Sequence, residues 1–317
     1  MTPSDLSGPT RIAVFVLGLA VVFAAAIGIG NAVGPVAAEP VAHDDGHAAG
    51  ESEGAHGEGG EATPTTDIPG GLMVSQSGYA LRMADDSARP GSDVPVAFTI
   101  EGPDGRPVTA YDVEHEKRLH LIAVRRDFSG FQHVHPELDA DGVWSTSLDL
   151  TPGAWRLFAD FTPSGAEGLT LGTDVAVSGD YRPEPASDEV RTARVDGYTV
   201  ELEGDLTAGE DARLTLSVSR NGRRVTDLDP YLGAYGHLVA LREGDLAYLH
   251  VHPDGTPGDG STEPGPDVVF YAAVPSDGGY RLYLDFKHEG VVRTASFAVS
   301  AGEAKSHGGE RNGDHGH

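Results

Sequence analysis

Fourteen histidines and no cysteine set the range of chemistry open to this chain. Six of those histidines fall in a repeated pattern. Residues 120–137 read HLIAVRRDFSGFQHVHPE and residues 237–254 read HLVALREGDLAYLHVHPD, so His120, His133 and His135 recur at the same spacing as His237, His250 and His252. Imidazole nitrogens suit Cu(II), Zn(II) or Ni(II), whereas Ca(II) or Mg(II) would call for mostly oxygen donors. Without cysteine, disulfides, thiolate sites, iron–sulfur clusters and thiol catalysis are excluded. Three methionines, Met1, Met73 and Met83, are too few for a methionine-rich Cu(I) site.

The spacing predicts how three rings of one copy meet. Residues 119–125 alternate as a strand with His120, Ile122 and Val124 on one face. Residues 126–130 read as a turn, and 131–135 return with His133 and His135 on one face. A hairpin turning at its midpoint sets 120 opposite 135 and 122 opposite 133. Opposed side chains share a face with Cβ atoms ~5 Å apart, and i, i+2 histidines lie ~6.6 Å apart. Three imidazoles then converge on one ion at about 2.0–2.1 Å each. The same arithmetic gathers His237, His250 and His252. A register slip of one residue would send His120 to the opposite face.

Two aligned carboxylates, Asp160 and Asp285, come from a later strand of each copy. Each is a candidate fourth ligand, or a group that orients an imidazole through its second nitrogen. Each is equally a candidate partner for Arg156 or Arg281. Glu137 and Asp254 follow the proline and are expected to face solvent. Packing histidines bonded to backbone carbonyls are the rival account of the repeat. Catalysis has little to stand on. There is no HExxH motif, no nucleophile elbow and no evident partner base, and His-x-His-Pro-Glu departs from the cupin pattern.

The elements that must position these residues repeat too. Eight of the eighteen aligned positions above are identical. Upstream, Gly78-Tyr79 matches Gly197-Tyr198, and the alternating run 94–100 matches 212–218. The turn signals Asp104-Gly105 and Asn221-Gly222 follow. Downstream, 155–161 (WRLFADF) matches 280–286 (YRLYLDF). The second copy alone carries an insertion, 255–266, read as a surface loop. Short strands, 43 glycines and 21 prolines point to an all-β chain. About seven strands per copy predict two tandem immunoglobulin-like antiparallel β-sandwich modules, 68–180 and 192–301, joined by a linker at 181–191.

The termini read differently. Ile12 to Gly30 is an unbroken run of apolar and small residues behind Arg11. It predicts a transmembrane anchor over 12–34, with 1–11 cytoplasmic and the modules outside the cell membrane as a single-pass protein. A cleaved signal peptide is the alternative, giving a secreted protein. Residues 35–67 and 302–317 are predicted to be a disordered linker and tail. Their histidines, His43, His47, His56, His307, His315 and His317, are placed for weak capture of divalent cations. A net charge of -27 repels nucleic acid, which is excluded as a partner.

The segments His120-Leu-Ile-Ala-Val, Phe131-Gln-His-Val-His-Pro136 and Trp155-Arg-Leu-Phe-Ala-Asp-Phe161 resemble actinobacterial secreted or membrane-tethered proteins of the YtkA-like and heavy-metal-binding-domain type. The resemblance covers each module once. It implies an extracytoplasmic β-sandwich and a link to copper or other metal handling. The second copy departs from it where Gln132 is replaced by Leu249.

The expectation is a membrane-anchored extracytoplasmic protein that buffers, sequesters or delivers Cu(II) or Zn(II), with one site per module and no enzymatic activity. Two alternatives stay open: a non-catalytic immunoglobulin-like structural or protein-interaction module without metal, and a metal-dependent enzyme.

Overall fold

A computed structural model describes residues 68–185 and 188–303. The cytoplasmic segment 1–11, the anchor 12–34, the linker 35–67 and nearly all of the tail 302–317 lie outside these residues. Among the described residues, no helix is long and apolar enough to cross a membrane.

Each repeat folds as ten strands in two packed sheets. In the first module these are β1 (Ser75–Gln76), β2 (Tyr79–Met83), β3 (Ser87–Ala88), β4 (Gly91–Glu101), β5 (Leu119–Arg125), β6 (Gln132–Val134), β7 (Glu137–Leu138), β8 (Val143–Leu150), β9 (Gly153–Phe161) and β10 (Leu169–Val177). In the second they are β11 (Thr192–Val195), β12 (Tyr198–Glu203), β13 (Leu206–Thr207), β14 (Asp211–Arg220), β15 (Arg223–Arg224), β16 (His237–Arg242), β17 (Val251–Pro253), β18 (Asp267–Ala273), β19 (Gly278–His288) and β20 (Val291–Gly302). The excess over seven is three edge pieces of two to four residues in each module.

The first module's sheets run β1-β2-β4-β8-β7 and β3-β10-β9-β5-β6. The second module's run β11-β12-β14-β18-β17 and β13-β20-β19-β16. Pairing is antiparallel except at two edges, β3·β10 and β13·β20, which are parallel. Alternation sets the cores. On β14 the side chains of Ala212, Leu214, Leu216 and Val218 point inward and are buried. Asn221 and Gly222, both at positive φ, close the β14·β15 hairpin as a two-residue turn. Trp144, Trp155 and Phe98 fill the first core; Tyr280, Phe270 and Phe297 fill the second.

β5 is buried along its whole length rather than on alternate residues. Leu119, Leu121 and Ala123 face the first module's own core. Ile122 and Val124 face outward, and they are covered by the other module. With Phe158 they pack on Val239, Leu241, Leu246 and Tyr283 of the second module. Both modules therefore belong to one compact unit. Each aliphatic side chain sealed in this seam contributes about 1.5–3 kcal/mol.

The seam is reciprocal. Phe131 stacks on Tyr283 with ring centres 4.0 Å apart, and the repeat-equivalent pair, Tyr248 with Phe158, meets at 5.7 Å. Ile122 and Val124 correspond to Val239 and Leu241. Equivalent surfaces thus meet about an approximate two-fold, as in an isologous dimer. A leading segment meets the seam at each end. Gly70 pairs with Tyr248, and the Gly71 carbonyl accepts from Arg156, so the first module's segment runs through one end. At the other end Val190, ahead of the second module, pairs with Ala298 of β20.

Candidate functional site: a histidine cluster between the modules

β5 pairs with β6 in the register Ile122↔His133, which the midpoint turn requires. That register sets His133 and His135 beside His120, and ligand nitrogens of the three lie within 4.8 Å of one another. His120 is 3% exposed. Burial, together with the charge of His133, pushes its pKa down to about 3. Burial likewise pushes His135 down to about 4, helped by His133 and Lys117.

The second module supplies two further groups. His237 lies parallel to His120 with ring centres 5.4 Å apart, and 4.7 Å from His133. Burial and the surrounding histidines hold it well below the usual imidazole range. Asp285, 3% exposed, accepts a hydrogen bond from His133 Nδ1 at 2.8 Å and another from Thr294 Oγ1 at 2.5 Å. Asp285 is the register partner of His237 on β16·β19, as Asp160 is of His120 on β5·β9.

Counting protons exposes what the cluster lacks. His120 Nε2 lies 3.2 Å from the Glu114 carbonyl, and His133 Nδ1 lies 2.8 Å from Asp285. Both partners can only accept, so these two ring nitrogens carry the hydrogens. In neutral rings the other two nitrogens, His120 Nδ1 and His133 Nε2, then hold lone pairs. They face each other at 3.0 Å. Two lone pairs this close repel, and a cation between them, a proton at low pH or a metal ion, relieves the contact. Metal-bound histidines characteristically donate their second N–H to a carbonyl or carboxylate in this manner.

Not every predicted site residue joins the cluster. The second triad does not form. His237 turns into the seam, while His250 and His252 leave it. The chain follows the repeat's register through Leu249, whose N–H bonds the Ala240 carbonyl. It then crosses to the other sheet, where β17 pairs with β18. The first module delays that crossing until β7. The copies differ at the residue preceding the His-x-His pair. Gln132 bonds the Asp149 backbone at the sheet edge, whereas Leu249 sinks into the second core. His252 ends exposed, stacked on Tyr271 at 5.5 Å, with His250 beside it at 5.8 Å.

The carboxylates diverge as well. Asp285 serves a histidine of the opposite module rather than of its own. Asp160 accepts from Thr170 Oγ1 at 2.9 Å, and burial raises its pKa. Neither carboxylate pairs with an arginine: Arg156 reaches Asp174 and Arg281 reaches Glu243. Glu137 and Asp254 are exposed, as expected.

One further histidine sits at the rim. His115 lies on the 114–117 turn, and its ring centre is 6.2 Å from His120 and 5.8 Å from His237. His115 and Glu116 both adopt positive φ, as do Leu232 and Gly233 in the matching turn of the second module. Because Leu232 replaces the histidine, comparing the repeats conceals His115. Its proximity to His120 in sequence was the available signal.

No curated protein matches the chain. Among solved structures it is similar to the Escherichia coli adhesin FdeC, at 12% identity over 72% of this chain and 65% of that one, with a TM-score of 0.22. It therefore spans a little under two thirds of the FdeC chain. It is also similar to Yersinia pseudotuberculosis InvD, at 13% identity over 73% of this chain and 59% of that one, with a TM-score of 0.24. A family model described as a domain of unknown function matches residues 74–179 and again 193–303. The two matched stretches cover the two sandwiches and most of the chain, which therefore belongs to the DUF8832 family and carries its domain twice.

Proposed function

We propose that this chain is a non-catalytic structural or interaction protein in which two immunoglobulin-like sandwiches act as a single body. The observation that carries this reading is the reciprocal apolar seam of Ile122, Val124 and Phe158 against Val239, Leu241 and Tyr283. Such a seam fixes the modules relative to each other and leaves their outer sheets available for partners. The apolar run Ile12–Gly30 supports presenting this body on the extracytoplasmic side of a cell membrane. The test is Val124→Asp, which buries a charge in the seam. Hydrogen exchange should then lose protection on both β5 and β16, with the two cores Trp144 and Phe270 mark still protected. Unchanged protection on β16 would remove the basis of the single-body reading.

One observation favours a second reading, in which the protein also holds a divalent transition-metal ion. Three imidazole nitrogens lie within 4.8 Å of one another, and two of them face each other as lone pairs. The resemblance to heavy-metal-binding-domain proteins is consistent with it. Metal analysis of the full-length chain after dialysis against Zn(II) checks this. His120→Ala with His133→Ala should carry about one ion fewer per chain than the parent. Equal metal content in the two would leave the histidines as structural residues of the seam.

A further inference from the structure

We propose that a single divalent transition-metal ion binds between the two modules, held by His120, His133 and His135 of the first and His237 of the second. This rests on the metal reading above and extends it: the site belongs to neither module alone, and the ion joins them.

Four observations converge. First, His120 Nδ1 and His133 Nε2 face each other at 3.0 Å with both opposite nitrogens already donating. Two nitrogens bound to one ion at about 2.0–2.1 Å stand about 2.9 Å apart at a right angle and about 3.3 Å apart in a tetrahedron. The observed separation lies between these. Second, His135 Nε2 and His237 Nδ1 are both buried without a hydrogen-bond partner. They are the only imidazole nitrogens among the described residues in that condition, and they belong to this one cluster. Leaving such a group unpaired costs about 1–3 kcal/mol, so two in one cluster point to a missing partner. Third, a buried carboxylate of the second module, Asp285, fixes the His133 ring and supplies negative charge beside the proposed cation. Fourth, there is a way in. A surface cavity of ≈ 560 Å³ is lined by Lys117, His135, Pro136 and Glu137, and so reaches the cluster from solvent.

Ligand nitrogens of the first-module histidines lie within 4.8 Å of one another, and His237, whose ring centre is 4.7 Å from that of His133, joins them by turning its ring. Binding would thus tie β16 to β5. The donor set is all nitrogen, which suits Cu(II) or Zn(II) and disfavours Mg(II) or Ca(II). His250 and His252 take no part.

The experiment uses the full-length chain with the six histidines of the terminal segments (His43, His47, His56, His307, His315 and His317) changed to Asn, so that they do not compete. It is titrated by calorimetry with Zn(II) alone and with Cu(II) alone at pH 7.5. The expected result is one ion per chain. Affinity should fall at least 100-fold in His133→Ala, at least tenfold in His237→Ala and less than twofold in His250→Ala/His252→Ala. Hydrogen exchange with the ion bound should slow on both β5 and β16 in the parent, and on β5 alone in His237→Ala. His237→Gln, which keeps a polar side chain in the seam, serves alongside, and metal-free exchange in the two sandwich cores verifies that both variants fold. No binding by the parent overturns both the metal reading and this inference. One ion bound with equal affinity by the parent and both His237 variants keeps the metal reading and overturns the shared site. Two ions per chain, one lost on changing His250 and His252, also overturns it.

Discussion

At the scale of single residues, His133 and Asp285 add a buried polar link to the apolar seam between the modules. The 2.8 Å bond between them fixes the His133 ring, and that ring aims Nε2 at His120. The rings around them are buried neutral, which gives the metal-free protein a definite acid response. In the unfolded chain these histidines take up protons near 6.5. In the folded chain His135 does so near 4 and His120 near 3. The unfolded state therefore binds more protons in this window. Stability is complete above about pH 6.5 and falls as pH drops toward about 3–4. Between pH 6.5 and 5 His120 alone accounts for about 2 kcal/mol of that loss. Urea unfolding of the metal-free chain at both pH values should show this, and His120→Asn should reduce it. A midpoint unmoved by pH would mean the ring is not buried neutral. The triad itself was legible, because His120, His133 and His135 recur at fixed spacing. The partnership of His133 with Asp285 was not. Strand periodicity assigns a side chain to a face, but it does not say which other module covers that face.

At the scale of elements, the two copies part just after the position where Leu249 replaces Gln132. The β5·β6 register followed from the sequence because His120, Ile122 and Val124 alternate and the turn sits at the midpoint. The early crossing of the second copy onto β18 did not. It depends on Leu249 finding room in the second core where Gln132 stays at the edge of the first. That is a packing outcome, invisible to a pattern in which both residues occupy the same slot. The leading segment is a second such element. Gly71 adopts φ 73 and lies against Phe158 and Tyr248, where an added Cβ would run into the Phe158 ring. Gly71→Ala should therefore destabilise by about 1–3 kcal/mol through strain at positive φ, with a further loss from the clash. Thermal unfolding measures it. A variant as stable as the parent would show that the segment does not sit within the seam.

At the scale of the whole molecule, the internal repeat predicted two sandwiches, and the structure has them. It also predicted one histidine cluster per module, and only the three histidines of the first copy gather. Two copies packed about an approximate two-fold create shared surfaces, and a residue from one copy completes a group in the other. His237 keeps the place equivalent to His120 and so meets the first module's cluster, while His250 and His252 leave with the crossing strand. The equivalent cross-module pair, His250 with Asp160, is not made, because His250 departs with the crossing strand and Gly70 pairs with Tyr248 at that end. Burial of β5 on both faces is the signature of this packing. In the sequence, HLIAVR resembles an ordinary half-buried strand with a polar residue at each end. If the two sandwiches form one body, scanning calorimetry of the metal-free full-length chain at pH 7.5 shows one cooperative transition whose calorimetric and van't Hoff enthalpies agree. Two separate transitions, each with the enthalpy of a single sandwich, would contradict it.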